Sequence, residues 1–328
     1  MFELTRTERP KRKSWDVRPY SGILWGAVKV IVTGGTGFIG RALVRSLADR
    51  DNDVVVLSRN KGEKKGNIEQ AAWTPEERGD WMKLVDGADA VVHLAGAGVL
   101  DERWTPERKE MLRTSRIVST GLLAKAIEEA SKKPRVFVSG SAVGYYGLRA
   151  GDKVLDESSP PGDDFLAKLV VDWEKAAEPA RAAGVRTCMP RIGLVVGKGG
   201  GFLERMLPAF KAFVGGPVGS GEQYMARVHL VDTVRALEHA IDDASGIDGP
   251  FNITAPDPVT MNELAAALGK VLGRPSFCRV PEFMVKLAIG EGAEAVLTGQ
   301  RAIPKRLVDG GFAFVFPDLE SALADVLA

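Results

Sequence analysis

The chain has 328 residues, 45% hydrophobic and 27% charged, a composition that excludes disorder, collagen and coiled coil. Its 44 basic and 43 acidic side chains leave a formal charge of +1, too weak a field for general binding to nucleic acid or an anionic membrane. Two cysteines, Cys188 and Cys278, exclude a disulfide framework and a thiol zinc site.

Three scattered histidines, His93, His229 and His239, make no metal cluster, so no metal is expected. No apolar run approaches the ~18 residues of a membrane span. A soluble, cytoplasmic chain is the expectation, with a small-molecule substrate and neither nucleic acid nor membrane as partner.

Residues 1–27 read as an N-terminal extension. They carry six basic side chains against three acids and show neither helical nor alternating apolar spacing. The basic start before Ile23-Leu24-Trp25 is not read as a signal peptide, because a glycine motif follows where a cleavage site would stand. From Val28 the texture changes. Val28–Val32 is a β-branched apolar run, read as a buried strand. Helical spacing follows over 39–50, with Ile39, Leu43 and Leu47 on one face. Further strands are read at 54–57, 90–94, 135–138, 185–190 and 251–253, and helices at 115–131, 164–182, 202–213 and 260–272. Strand and helix alternate, so the fold class is α/β, a doubly wound parallel sheet covered on both faces. After Pro190 the alternation weakens and glycines cluster. The expected division gives the sheet domain 28–190 and 229–253, and a smaller, partly interleaved lobe 191–228 and 254–328.

The sharpest signal is Gly34-x-x-Gly37-x-x-Gly40 between a strand and an amphipathic helix. The first glycine allows a sharp turn, the middle one admits a pyrophosphate to the backbone, and the last lets helix and strand pack closely. Phosphates would meet the helix N-terminus, with its free N–H groups and about half a positive charge. Arg41-Ala42 follows where a P-loop would carry Lys-Ser/Thr, which excludes that motif. The second strand ends Leu57-Ser58-Arg59-Asn60, without the carboxylate that selects NAD. Arg59 is placed to hold a 2′-phosphate, with Lys61 behind it, so the expected cofactor is NADP(H).

The segments Thr33–Gly40, Val91-Val92-His93-Leu94-Ala95-Gly96, Ser141-Ala142-Val143-Gly144-Tyr145-Tyr146-Gly147, Asp156–Gly162, Arg191–Gly197 and Gly299–Pro304 resemble the extended short-chain dehydrogenase/reductase family. More narrowly, residues 28–328 are similar to its atypical "epimerase family" subgroup, which has a small terminal domain of its own. That resemblance implies NADP(H) and sugar-nucleotide-like substrates, and often a homodimer through a helix pair. Position by position it implies that Gly34, Thr36, Gly37, Phe38 and Ile39 wrap the pyrophosphate. Ser58 takes the slot of the NAD-selecting aspartate. Leu94, Ala95 and Gly96 border the riboses. Ser139 and Ser141 end a strand facing the nicotinamide, and Pro190, Ile192 and Leu194 pass beside its carboxamide.

The family's chemistry uses a tyrosine with a lysine four residues on. Tyr20, Tyr145, Tyr146 and Tyr224 are followed at that spacing by Leu24, Arg149, Ala150 and Val228, so no such pair exists. Phe165 stands at the tyrosine's place, and Lys168 is one position early, about 100° round a helix. The catalytic candidates are therefore Ser141, to orient a carbonyl, and Tyr145 or Tyr146, to supply the proton. Arg116 and Arg191 are candidate substrate clamps, and His229 a candidate beside Asp232. His93 is read as a core histidine, Lys168 as a surface lysine, and Trp104 and Trp173 as packing. The function expected is an NADP(H)-dependent oxidoreductase or epimerase acting on a carbonyl or sugar-nucleotide-like substrate. The alternative is an NADP(H)-binding sensor or interaction protein without turnover.

Overall fold

The computed structural model describes residues 28–148 and 151–328, so the expected N-terminal extension and Arg149 and Ala150 lie outside the described residues. The apolar runs form a parallel sheet. Its strands are β1 (Lys29–Thr33), β2 (Asp53–Ser58), β3 (Ile68–Ala72), β4 (Ala90–His93), β5 (Val136–Ser139), then Arg186–Ile192 and Gly249–Ile253. The spatial order is β3-β2-β1-β4-β5, followed by Arg186–Ile192 and Gly249–Ile253 at the far edge. A short strand, Ser141–Ala142, adds to Arg191–Ile192.

Continuous apolar strands are what burial on both faces requires. Val30 and Val32 point into one core, with Leu43, Val44 and Leu47 of helix α1 (Phe38–Ala48) and Val234 and Leu237 of helix Leu230–Ile241. Ile31, Val91 and Phe137 point into the other, with Leu123, Ala124 and Ile127 of helix α2 (Pro106–Glu129). α2 starts nine residues before the helix read from sequence, capped by the Thr105 side chain with Pro106 in its first turn. The helix read over 164–182 is two: α3 (Phe165–Ala176), capped by Asp164, and a short helix Glu178–Ala182.

The smaller lobe starts where Leu194–Gly197 pairs in parallel with Arg227–His229. Helices Gly201–Lys211, Met261–Leu272 and Leu319–Leu327 bury Leu203, Phe210, Leu264, Leu268 and Leu323 in a separate core. A capping box of Thr260 and Glu263 starts the second of these helices. The sheet strand runs to Ile192, two residues past the expected domain boundary. The terminal segment returns to the sheet domain, with Arg301–Ala302 beside Val154–Leu155 and Leu307 in the main core. Among the described residues no helix is long and apolar enough to cross a membrane.

Chain order reverses between β1 and β4. From β1 the chain builds outward to β3, then crosses to β4 and builds the other way. That reversal opens a crevice at the carboxyl ends of β1 and β4, the place where open α/β sheets take ligands. Two glycines set its floor. Gly34 has φ +69°, and a Cβ there would lie 2.7 Å from Ala95 N. A Cβ on Gly40 would lie 2.1 Å from Gly34 O. Gly40→Ala should therefore cost at least about 1–3 kcal/mol in urea denaturation through backbone displacement. Gly121→Ala, with nothing within 4 Å of its Cβ inside α2, should stabilise by about 0.4–1 kcal/mol. Equal effects of the two would sink this account of the turn.

Candidate functional site

The crevice is lined first by backbone. Gly37 N donates to Gly34 O at 2.9 Å, which leaves Thr36 and Gly37 exposed at the tip of the turn. No side chain caps α1 and no acid stands in its first turn. Its first N–H groups are thus left for a ligand, with the positive end of the helix behind them. This is a cradle fit for a pyrophosphate. Phe38 turns the other way, its ring against Gly200 and Gly201 of the smaller lobe, and Arg41 donates to Gly199 O. Half-buried Ile39, Leu94 and Ala95 and exposed Gly96 complete the rim near β1 and β4.

At the end of β2, Ser58 Oγ donates to Asn60 O at 2.6 Å and accepts from Gln70 Nε2 at 2.7 Å. Arg59 is exposed beside it. A buried polar row crosses the strand ends below the crevice. Thr33, His93 and Ser139 are register partners on β1, β4 and β5. His93 is 0% exposed, as expected of a core histidine, and lies 2.6 Å from Thr33 Oγ1 and 3.1 Å from Ser119 Oγ. Burial, with the Arg116 charge nearby, pulls its pKa down to about 3. The Ser139 hydroxyl is buried with no hydrogen-bond partner.

The Ser141–Gly147 turn is built around an ion pair. Arg191 Nε and Nη2 reach Glu174 Oε1 and Oε2 at 2.8 and 2.9 Å. Ser141 Oγ donates to Glu174 Oε1 at 2.6 Å. Arg191 Nη1 donates to the Tyr146 hydroxyl at 3.2 Å, and that hydroxyl donates to Asn252 Oδ1 at 2.7 Å. Burial works against the Arg191 charge, yet the bonds and attraction of Glu174 outweigh it and raise its pKa. Burial pushes Tyr146 up to about 12, despite Arg191. Tyr145 is half-buried, with the Arg191 guanidinium 3.4 Å from its ring centroid.

This arrangement revises four expected roles. The Ser141 hydroxyl is given to Glu174 rather than to a substrate carbonyl. Tyr146 is buried and holds its proton. Arg191 spends its donors on Glu174 and Tyr146 and is 2% exposed, so it is no substrate clamp. His229 is 2% exposed. It caps helix Leu230–Ile241 through Nδ1, lies under Phe316, and faces Asp325 at 3.4 Å rather than Asp232. Glu174 is the residue that sequence reasoning missed. Only the fold brings it to Arg191.

Pro190 is buried and Ile192 and Leu194 are half-buried, at the end of a strand beside β5. Phe165 packs edge-on against Trp104 at 5.4 Å, and Leu169, four residues on, is 1% exposed. Lys168 is exposed. The loop from Ala97 to Thr105 closes over this side. Arg205 of the smaller lobe holds Leu100 O and Asp101 Oδ1 at 2.9 Å each, and Arg103 donates to Ala288 O at 3.1 Å. Among the described residues no group of three His, Cys, Asp or Glu could hold a metal.

The fold and this crevice are those of a dinucleotide-binding protein, and comparison sets the family. Residues 30–254 match the NAD dependent epimerase/dehydratase family, and residues 280–326 match a domain of unknown function, DUF1731. The chain is 41% identical to the Epimerase family protein SDR39U1 homolog, chloroplastic, of Arabidopsis thaliana, over 91% of this chain and 86% of that protein. It is 42% identical to Epimerase family protein ML0860 of Mycobacterium leprae, over 90% of this chain and 94% of that one. The crystal structure of human epimerase family protein SDR39U1 (isoform2) with NADPH superposes with a TM-score of 0.81 at 36% identity, covering 91% of this chain and 98% of that one. The chain belongs to the NAD dependent epimerase/dehydratase family, as an atypical extended short-chain dehydrogenase/reductase.

The buried histidine gives a pH signature. Below its ordinary pKa of 6.5 the unfolded chain protonates His93, whereas the folded chain refuses the proton down to about pH 3. Stability from this group is therefore present above pH 6.5 and lost as pH falls. Buried carboxyls with raised pKa, such as Glu238, act in the opposite sense and are common to wild type and variant. His93→Gln should flatten the decline of urea-unfolding stability below about pH 6.5. An unchanged slope would show that His93 is not buried neutral.

Proposed function

We propose that the protein is an NADP(H)-dependent oxidoreductase or epimerase acting on a carbonyl or sugar-nucleotide-like substrate, with Tyr145 as its proton donor. The observation that carries this reading is the Arg191 guanidinium held 3.4 Å over the Tyr145 ring by Glu174. A guanidinium stacked on the ring face holds that phenol in one place and orientation for proton transfer. Arg191 acts through Tyr145 and is a positioning residue. Tyr146 braces the pair from below, edge-on to Tyr145 at 5.3 Å. The cofactor, when bound, supplies or accepts a hydride. The Gly34–Gly40 turn and the α1 N-terminus would hold its pyrophosphate, and Arg59 its 2′-phosphate. Membership of an NAD dependent epimerase/dehydratase family and the human relative with NADPH support a nicotinamide cofactor; exposed Arg59 at the end of β2 favours the phosphorylated form.

The second reading is a cofactor-binding sensor without turnover. Phe165 packed on Trp104, with Leu169 in the core, favours it, since the place of the usual tyrosine–lysine pair is filled with apolar contacts.

NADPH oxidation against a panel of carbonyls separates the two. Tyr145→Phe should lower kcat by roughly 10²–10⁴-fold and leave NADPH affinity unchanged. Tyr146→Phe should mainly lower stability. Tight NADPH binding with no turnover on any carbonyl would establish the sensor instead. Arg59→Ala should weaken NADPH roughly 10–100-fold and leave NADH binding as it was; equal weakening of both would remove the NADP(H) assignment.

A further inference from the structure

Arg116 carries a charge that the described protein does not neutralise. It projects from α2 toward the end of β4, its Cζ 3.2 Å from where a Cβ on exposed Gly96 would sit. Nη1 donates to Leu112 O at 3.2 Å and Nη2 to Ala97 O at 2.9 Å. A guanidinium has five N–H donors, so three remain unspent. The charged group that acts on it most is another cation, Arg108; burial and that repulsion bring its pKa down to about 10, still charged at neutral pH. The other buried arginines on this side are treated differently. Arg191 has Glu174, and Arg108 has Glu102 at 3.4 Å and Gly98 O at 2.5 Å.

The cation is also held in place. The Trp173 ring lies 5.2 Å from its Cζ, and Trp173 Nε1 is tied to Thr120 Oγ1 at 2.9 Å. The same ring reaches the end of β5, where a Cβ on Gly140 would lie 3.2 Å from Cζ2. Next to Gly140 is Ser139, 1% exposed, whose hydroxyl has no partner. A half-buried guanidinium with unspent donors and an orphaned hydroxyl thus stand at neighbouring strand ends of the crevice. A half-buried charge without a counter-ion and a buried hydroxyl without an acceptor are both costly. An oxyanion would satisfy both, since it accepts from each and neutralises the charge.

We propose that Arg116 anchors an oxyanion of the substrate, a carboxylate or a phosphate, at the ends of β4 and β5, with Ser139 donating beside it. The word substrate rests on the enzyme reading above; the anion site does not. The class of substrate is then a carbonyl compound or sugar derivative bearing its own negative charge near the reacting centre. The rival source of the anion is a phosphate of the dinucleotide.

The test uses the full chain with inorganic phosphate and acetate as probes, titrated by calorimetry in the presence and absence of saturating NADP⁺. Wild type should bind a probe saturably with NADP⁺ bound, and the tighter of the two names the group. Arg116→Gln should weaken that binding roughly tenfold or more, and Ser139→Ala by less. Arg116→Lys, which keeps the charge but loses the fork, should bind between wild type and Arg116→Gln; it serves if the glutamine variant does not fold. NADPH affinity should be the same in wild type, Arg116→Gln and Arg116→Lys. Unchanged probe binding in Arg116→Gln, or no saturable binding to wild type, overturns the proposal. So does a parallel loss of NADPH affinity, or probe binding only when NADP⁺ is absent, because either assigns the guanidinium to the cofactor's phosphates. Probe binding through Arg116 with no carbonyl turned over upholds the anion site and removes the enzyme reading. Turnover of uncharged carbonyls without probe binding does the reverse.

Discussion

The region above the sheet depends on one buried ion pair. Arg191 ends a central strand, Glu174 comes from α3, and their bidentate contact closes the gap between sheet and helix. Ser141 donates to Glu174, Tyr146 accepts from Arg191, and Asn252 accepts from Tyr146. Asn252 N in turn donates to Glu157 Oε1 at 2.9 Å, and Asn252 Nδ2 donates to Ile303 O at 2.8 Å. The terminal segment is thereby tied to the turn that carries Tyr145. Two opposite charges with their lone pairs and protons satisfied are tolerable inside a protein. Removing one leaves the other uncompensated, at a cost of about 3–5 kcal/mol. The position of the Tyr145 ring is therefore coupled to the integrity of four separate segments, which is how a loop residue can be held with the precision that chemistry needs.

A second constraint acts across the crevice. The Ala97–Thr105 loop leaves β4 and is held from below by Arg108 and Arg116, and from outside by Arg205 and Arg103. Four arginines grip carbonyl oxygens of this loop or of what it touches. The backbone of such a loop has no ladder of its own to satisfy its carbonyls, and guanidinium groups from two helices, Arg108 and Arg116 of α2 and Arg205 of helix Gly201–Lys211, do so instead, while the loop's own Arg103 reaches Ala288 O. The same loop supplies Trp104, which packs on Phe165. Sheet domain, lobe and terminal domain meet there, so the domains share one wall of the crevice rather than merely adjoining.

The fold was largely legible because burial on both faces writes itself as apolar runs. β1, β2, β4 and β5 and the glycine turn stood out for that reason. β3 did not: Ile68–Ala72 is an edge strand with half its side chains toward solvent, and its Ile-Glu-Gln-Ala-Ala has no run to read. The early turns of α2 were missed because Pro106–Thr114 is polar, although Thr105-Pro106 is a start signal. The site was legible only where it is local. The glycine turn is one contiguous segment whose spacing has a mechanism. The Arg191–Glu174 pair joins residues 17 positions apart on a strand and a helix, and no periodicity announces it. Ser141, Tyr146, Arg191 and His229 were singled out by residue type and place, but type does not tell whether a polar group is spent on the protein or kept for a ligand.

That distinction decides how the missing tyrosine–lysine pair is to be read. Here Phe165 fits edge-on to Trp104 under the Lys109 ammonium, and Leu169 is fully packed. Meanwhile a tyrosine, a stacked guanidinium and a carboxylate that orients it occur together one turn away. For the enzyme proposed here, the Arg191–Tyr145 stack would serve the chemistry, and the unspent donors of Arg116 and Ser139 would face the charged reactant.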